Sequence, residues 1–120
     1  MSDWFWMWLS AFALTQAVET PIYAAALAFR SDPARRLTTC VAYGFLASLL
    51  THPVVWWVIP ELITLDRYAL FFAVAEGFAV VCEALLMRAL RLRHALLWAL
   101  VANGASVLVG MALRHLIGWP

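Results

Sequence analysis

Charge is scarce in this 120-residue sequence, and lysine is absent from it. Charged residues make up 12% of the chain, and all eight basic residues are arginine. A soluble domain usually has about a quarter of its residues charged and about half apolar. Here 66% of the residues are hydrophobic and the mean hydropathy is +0.87. The composition therefore excludes an ordinary soluble domain and places the chain among membrane proteins.

Cysteines and motifs of known chemistry are also scarce. The two cysteines, Cys40 and Cys82, lie far apart within apolar segments, so neither a disulfide framework nor a thiolate metal site is predicted. The sequence lacks a HExxH motif, a nucleophile elbow, a glycine-rich phosphate loop and a Glu-x-x-His pair. These absences argue against the common hydrolase, nucleotide-binding and di-iron classes. We also expect no nucleic-acid partner.

What the sequence does contain is four apolar stretches. Each is long enough for a helix that crosses a hydrocarbon core about 30 Å thick. The connections are short, so consecutive helices should be antiparallel neighbours. We therefore predict an all-α, polytopic membrane protein in which residues 1–120 form a single antiparallel bundle of four transmembrane helices. The helices are expected at Trp4–Phe29, Leu37–Ile59, Tyr68–Leu90 and Ala95–Ile117.

The arginines are distributed unevenly between the two ends of this bundle. Most lie in or beside the first and third loops: Arg30, Arg35, Arg36, Arg88, Arg91 and Arg93. The positive-inside rule then puts these loops in the cytoplasm of a bacterial inner membrane and both termini outside. Tryptophans should anchor the outer interface. They are Trp4, Trp6, Trp8, Trp56, Trp57 and Trp119.

Five polar side chains fall well inside the apolar stretches. An ionisable group near the bilayer centre costs about 2.5–3.5 kcal/mol on insertion scales, and such groups usually face the bundle interior and pair with one another. We therefore interpret the five as one intramembrane site that faces the bundle interior, in a protein whose surroundings are the lipid bilayer. They are Glu19, His52, Glu76, Glu83 and Asn103.

Helical spacing supports a shared interior, because each helix presents one polar stripe. Glu76 and Glu83 lie two turns apart on the third helix. Depth along the helices predicts an outer contact between His52 and Glu76, above an inner cluster of Glu19, Glu83 and Asn103. The other stripes are Thr15, Gln16, Glu19 and Tyr23; Ser48 and His52; and Asn103, Ser106 and Gly110.

Two prolines lie beside these polar residues. Pro21 follows Glu19 by two positions and Pro53 directly follows His52. Each proline frees a carbonyl one turn earlier, and a free carbonyl beside a carboxylate or imidazole suits a cation or proton site. The alternative is that neighbouring helices satisfy the backbone, as they commonly do in membranes.

Three short motifs follow one another from the second helix onward: Thr51-His52-Pro53, the pair Glu76 and Glu83, and Ala102-Asn103 with Ser106. In these motifs the chain resembles a group of small bacterial four-helix integral membrane proteins, in which threonine-histidine-proline, paired-glutamate and alanine-asparagine motifs recur. The resemblance implies that Thr51, Asn103 and Ser106 belong to the polar site. It supplies no reaction.

The leading functional hypothesis is a site that binds a proton or a divalent metal ion, coupled to transport or conformational change. His52, Glu76, Glu83 and Glu19 would be its ligands or proton carriers, and imidazole with carboxylates suits zinc, iron or manganese. A second hypothesis is an accessory subunit that docks in a larger membrane complex or a homo-oligomer. A third is an intramembrane enzyme that acts on a lipid or isoprenoid, with a glutamate or histidine as general base.

A purely structural interpretation also exists. Buried polar side chains hold membrane helices together through hydrogen bonds worth about 0.6 kcal/mol each. Small residues at four-residue spacing are expected at close helix contacts, within the bundle or between protomers. These are Ala73 and Gly77, and Ala102, Ser106 and Gly110.

Overall fold

The computed structural model describes residues 3–119, and the chain is helical over nearly all of that range. The helices are α1 (Asp3–Arg30), α2 (Leu37–Pro53), α3 (Ile59–Leu62), α4 (Tyr68–Ala89) and α5 (Ala95–Ile117). A π-helical turn, Val54–Val58, joins α2 to the short helix α3, and a 3₁₀ turn, Leu65–Arg67, leads into α4. The all-α prediction is confirmed.

Three helical segments of the described range are long and apolar enough to cross a membrane. They are Leu37–Leu62, Leu65–Ala89 and Ala95–Ile117. The helix α1 has 28 residues but is less apolar, because it includes several of the polar residues that face the interior, among them Gln16 and Glu19. The assignment to membrane proteins is therefore supported, and a crossing by α1 stays a prediction.

The four long helices form a closed ring. The helix α1 packs against α2 and α5, and α4 packs against the same two helices from the opposite side. As a result α1 and α4 lie diagonally across the bundle, and their inward faces meet at its centre. Short connections make the sequential neighbours antiparallel, as the sequence predicts.

Polar side chains lie inside this ring and large apolar ones outside. Glu19, Glu83 and Asn103 are at most 5% exposed, whereas Leu85 and Leu108 are more than 60% exposed. A soluble helical bundle shows the opposite arrangement, with its apolar stripes turned inward. An apolar exterior around a polar interior is the arrangement expected of a protein surrounded by lipid.

The helices α1 and α2 approach each other closely at Gly44. A Cβ atom at this glycine would lie 3.0 Å from the Thr20 carbonyl oxygen and 3.2 Å from Tyr23 Cβ. Beside it, Gln16 Nε2 donates a 3.0 Å hydrogen bond to the Phe45 carbonyl oxygen. Only glycine allows the two backbones to approach this closely.

The small residues expected at close helix contacts differ in how tightly they are packed. Ala102 is fully buried, and a Cβ at Gly110 would lie 3.7 Å from Leu14 Cδ2. Ala73 and Gly77 are exposed, and a Cβ at Gly77 would meet nothing within 4 Å. The expected contact at Ala73 and Gly77 is therefore not formed within the bundle, because α4 turns its opposite face toward its neighbours.

The two ends of the bundle differ in composition. At the arginine end, defined by Arg30, Arg35, Arg91 and Arg93, the first and third loops meet. There the Arg93 amide donates a 3.2 Å hydrogen bond to the Arg30 carbonyl oxygen. At the tryptophan end, defined by Trp4, Trp56 and Trp57, the ring centroids of Trp4 and Trp56 are 4.9 Å apart. Which end faces the cytoplasm stays a prediction.

Candidate functional site

Glu83 on α4 is the most heavily hydrogen-bonded side chain at the centre of the bundle. It belongs to a buried stripe with Ala79 and Met87, at i, i±4 spacing, and is 2% exposed. Its Oε1 atom accepts hydrogen bonds from the Tyr23 hydroxyl at 2.7 Å and from Asn103 Nδ2 at 3.1 Å. Its Oε2 atom accepts one from the Thr51 hydroxyl at 2.8 Å. The three donors come from α1, α2 and α5, so this carboxyl ties all four long helices together.

Glu19 on α1 is the second buried carboxyl and is 1% exposed. Its Oε1 atom accepts a 3.1 Å hydrogen bond from the Ser48 hydroxyl, and its Oε2 atom accepts a 2.7 Å hydrogen bond from the Ser106 hydroxyl. Glu19 and Glu83 line the same cavity, and two residues of α5 connect them, since Asn103 donates to Glu83 and Ser106 donates to Glu19. We call Glu19 and Glu83 the glutamate pair. The expected inner cluster of Glu19, Glu83 and Asn103 is therefore assembled.

The donors to the glutamate pair are uncharged. They are three hydroxyl side chains from serine and threonine, one phenol and one amide. Every arginine of the chain is exposed, except for Arg35, which is half-buried at the arginine end. No buried guanidinium in the described range therefore balances the charge that two ionised carboxyls would carry.

Two of these hydroxyls have a choice of acceptor. Thr51 Oγ1 lies 2.8 Å from Glu83 Oε2 and 3.3 Å from the Ala47 carbonyl oxygen. Ser106 Oγ lies 2.7 Å from Glu19 Oε2 and 3.0 Å from the Asn103 carbonyl oxygen. A hydroxyl has a single proton to donate, so each can serve its carboxylate or its own helix at one time. A change in charge at either carboxyl can therefore change the hydrogen bonding of a neighbouring helix.

His52 on α2 packs among aromatic rings. Its centroid is 5.4 Å from the Phe12 ring, 6.0 Å from the stacked Trp56 ring and 6.5 Å from the Trp8 ring. Its Nδ1 atom is buried without a hydrogen-bond partner. His52 also lines the cavity that contains Glu76, and both residues lie nearer the tryptophan end, so their pairing stays a prediction. Its ring contacts with Phe12 and Trp8 show that α2 also presents this position to the N-terminal half of α1.

Glu76 lies about 10 Å along α4 from Glu83, at a rise of 1.5 Å per residue. It is half-buried, and it lines the same cavity as the glutamate pair. The two-turn spacing therefore places both α4 glutamates toward the interior, as the sequence predicts. Glu76 is nearer the tryptophan end.

The cavity has a volume of about 470 Å³. Its floor includes both members of the glutamate pair, together with Asn103. Above the floor, the walls carry Glu76 and several aromatic rings. At the tryptophan end its lining includes Arg114. The aromatic residues that line it are Trp4, Trp56, Tyr68, Phe71 and Phe72.

The four residues predicted as metal ligands are not gathered into one coordination set. Within residues 3–119, no three histidine, cysteine, aspartate or glutamate side chains are grouped so that they could hold a metal ion. All four line the cavity, with Glu19 and Glu83 at its floor, Glu76 in the wall above them, and His52 among aromatic rings. Two carboxyls with neutral donors are the core of the arrangement.

Two of the five hydrogen-bond donors were not among the predicted site residues. Tyr23 donates to Glu83, and Ser48 donates to Glu19. Both lie on the polar stripes of their helices, so the stripe was the signal that could have identified them. The predicted residues Thr51, Asn103 and Ser106 all contact the glutamate pair.

The helix irregularities lie close in sequence to Glu19 and to Thr51, the donor to Glu83. Pro21 is accommodated within a continuous α1, two residues after Glu19. Pro53 ends α2 two residues after Thr51, and the π-helical turn Val54–Val58 begins directly after it. Turns of this kind are frequent at functional sites because they loosen the regular hydrogen-bond ladder.

The chain matches no protein-family model, no curated protein and no solved structure.

Proposed function

We propose that this chain is a small integral membrane protein whose glutamate pair holds a proton within the membrane and exchanges it during transport of a substrate. The observation that carries the proposal is a pair of buried carboxyls, Glu19 and Glu83, that line one cavity and accept hydrogen bonds only from neutral donors. Both belong to the interior of the bundle, where water is scarce.

Electrostatics favours one proton on the pair. Removing an ionised carboxylate from water costs several kcal/mol, and two adjacent carboxylates repel each other as well. A single proton placed between Glu19 and Glu83 removes the repulsion and leaves one negative charge. The five neutral hydrogen bonds then stabilise that remaining charge. A divalent cation fits less well, since two carboxylates alone form an incomplete ligand set for zinc, iron or manganese.

The two hydroxyls with alternative acceptors couple proton binding to the hydrogen bonds between helices. When Glu83 is ionised, the Thr51 hydroxyl donates to it. When Glu83 takes up a proton, that hydroxyl becomes free to donate to Ala47 within α2. Ser106 has the same choice between Glu19 and Asn103. Proton binding thereby changes the ties between α4 and α2, and between α1 and α5.

We expect the change in hydrogen bonding to move the irregular segment after Thr51. Pro53 and the π-helical turn Val54–Val58 interrupt the regular ladder of α2 next to the site. A segment with a weakened ladder moves at lower cost than a continuous helix. We therefore assign the motion that follows proton exchange to the C-terminal half of the second span.

Infrared difference spectroscopy on the reconstituted protein tests this function. A step in pH should change the carbonyl-stretch band of a protonated carboxyl. The band should shift in Glu19→Gln and in Glu83→Gln, and disappear in the double variant. Glu61→Gln is the matched control, because Glu61 is exposed on α3. A band that persists unchanged in the double variant would show that the proton is held elsewhere.

A further inference from the structure

We infer that the cavity above the glutamate pair binds a monovalent organic cation of drug-like size in exchange for the proton. The inference rests on the proposed function and names the substrate class of the same site. Three observations carry it: the size of the cavity, the position of its acidic groups, and the aromatic rings in its walls.

The volume suits an organic molecule rather than a bare ion. Ligand pockets of proteins usually measure about 300–1,000 Å³, are mainly apolar, and have a few polar groups that fix orientation. This cavity measures about 470 Å³ and extends from the glutamate pair to the tryptophan end. A proton alone needs no such space. Because the walls are mainly apolar, they favour a ligand that has apolar surface of its own.

The acidic groups determine the sign of the charge. Glu19 and Glu83 form part of the floor, and Glu76 lies in the wall about 10 Å above them. An anionic ligand would meet like charge at both depths. A cation would find a carboxylate at the floor and could pass a second one on the way.

The walls suit the same occupant. Rings from Trp4 and Trp56 face the cavity from one side, and Tyr68 and Phe72 line it from α4. Aromatic faces attract cations, and they recognise quaternary ammonium groups in particular. A cation with apolar substituents would thus gain contacts along the full length of the cavity.

His52 lines the cavity among the aromatic rings, and the lining also includes the charged base Arg114. Arg114 lies about 16 Å along α5 from Asn103, at 1.5 Å per residue, and therefore at the mouth and not the floor. Its positive charge opposes the entry of a cation but does not compete for the glutamate pair. Replacing it should change the rate of entry more than the final affinity.

The exchange balances in atoms and charge. Before binding, the pair holds one proton and one negative charge. As the cation enters, the O–H bond of the protonated carboxyl breaks, and its proton passes to water at the tryptophan end. The pair then holds two negative charges beside one cation, so the net charge of the occupied site is unchanged. No electron is transferred, and no other bond forms or breaks.

The test uses tetraphenylphosphonium as the cation and tetraphenylborate, of similar shape and opposite charge, as the comparison. Quenching of tryptophan fluorescence in the purified protein reports binding, and a pH-indicator dye in weakly buffered detergent solution reports protons. We expect saturable binding of the phosphonium with release of about one proton per cation. Affinity should rise with pH, because protons and cations compete for one site. Glu83→Gln should weaken binding about tenfold or more, while Glu61→Gln should not.

The outcomes separate this inference from the proposed function. Equal binding of both ions, or phosphonium binding without proton release, would overturn the inference. No phosphonium binding, with the infrared band of the glutamate pair still present, would overturn the inference and leave the proton site standing. Absence of the infrared band in the unmodified protein would overturn the proposed function itself. If Glu83→Gln does not fold, Glu19→Gln and the pH dependence of the unmodified protein decide the same question.

Discussion

The Tyr23 hydroxyl on α1 donates a 2.7 Å hydrogen bond to Glu83 Oε1 on α4, across 60 residues of sequence. These two helices lie diagonally opposite in the ring, so this bond crosses the centre of the bundle. Tyr23 is itself fully buried. One phenol thus both fills the core and stabilises the carboxyl on which the proposed function depends.

Tyr23→Phe should therefore destabilise the protein by about 1.5–3 kcal/mol, the usual value of a hydrogen bond to a charged group. The ring is kept, so packing is unchanged and the loss reports the bond alone. Thermal unfolding in detergent is the measurement, with Tyr68→Phe as control because Tyr68 is exposed at the start of α4. Equal melting temperatures for the two variants would show that the bond contributes nothing.

Substitutions at two glycines should separate packed from open helix faces. Gly44→Ala places a Cβ 3.0 Å from the Thr20 carbonyl oxygen, which is backbone and cannot move aside. We expect a loss of about 1–3 kcal/mol, as for overpacking in other cores. Gly77→Ala meets nothing within 4 Å and should stay within about 0.5 kcal/mol of the parent. If Gly77→Ala proves the more damaging, that face of α4 is covered by another molecule.

His52→Phe should leave the proton site intact. The ring keeps its contacts with Phe12 and Trp56, and the variant removes a buried nitrogen that has no hydrogen-bond partner. Because a buried unpaired polar atom costs about 1–3 kcal/mol, stability should be unchanged or higher. Infrared spectra should match those of the parent. A lost carboxyl band in this variant would restore histidine to the site, as the sequence alone suggested.

Membrane topology follows from the arginine end. Reporter fusions at the C-terminus should give the extracytoplasmic signal, and fusions in the loop at Arg35 the cytoplasmic one, because basic loops are retained inside. A third reporter, placed before Trp4, tests whether α1 crosses the membrane. If α1 does not cross, a tag placed before Trp4 will be cytoplasmic while the C-terminal signal remains extracytoplasmic.

The sequence predicted much of this fold for a simple physical reason. Apolar stretches of this length are helices in lipid, and short loops fix their order in space. Depth could also be predicted, since residue number converts directly to rise along an axis. That is why Glu19, Glu83 and Asn103 were expected together and are together.

Rotation about each helix axis was harder to predict. His52 and Glu76 lie at similar depth and line one cavity, yet the His52 ring also packs against Phe12 of α1, which the sequence did not predict. In a helix that is apolar all around, periodicity gives little indication of which side faces a given neighbour. The contacts of Tyr23 and Ser48 depend on rotation in the same way. They could be identified as polar stripe positions, but not as donors to a particular carboxyl.

The proposed function requires that Glu19 and Glu83 share one proton. Carbon-13 labelling of the glutamate side-chain carboxyls measures this directly, because the carboxyl chemical shift differs between the protonated and ionised forms. The single variants Glu19→Gln and Glu83→Gln assign the signals. In the parent protein at neutral pH, we expect the two signals together to correspond to one protonated carboxyl. Two fully ionised carboxylates at neutral pH would contradict it.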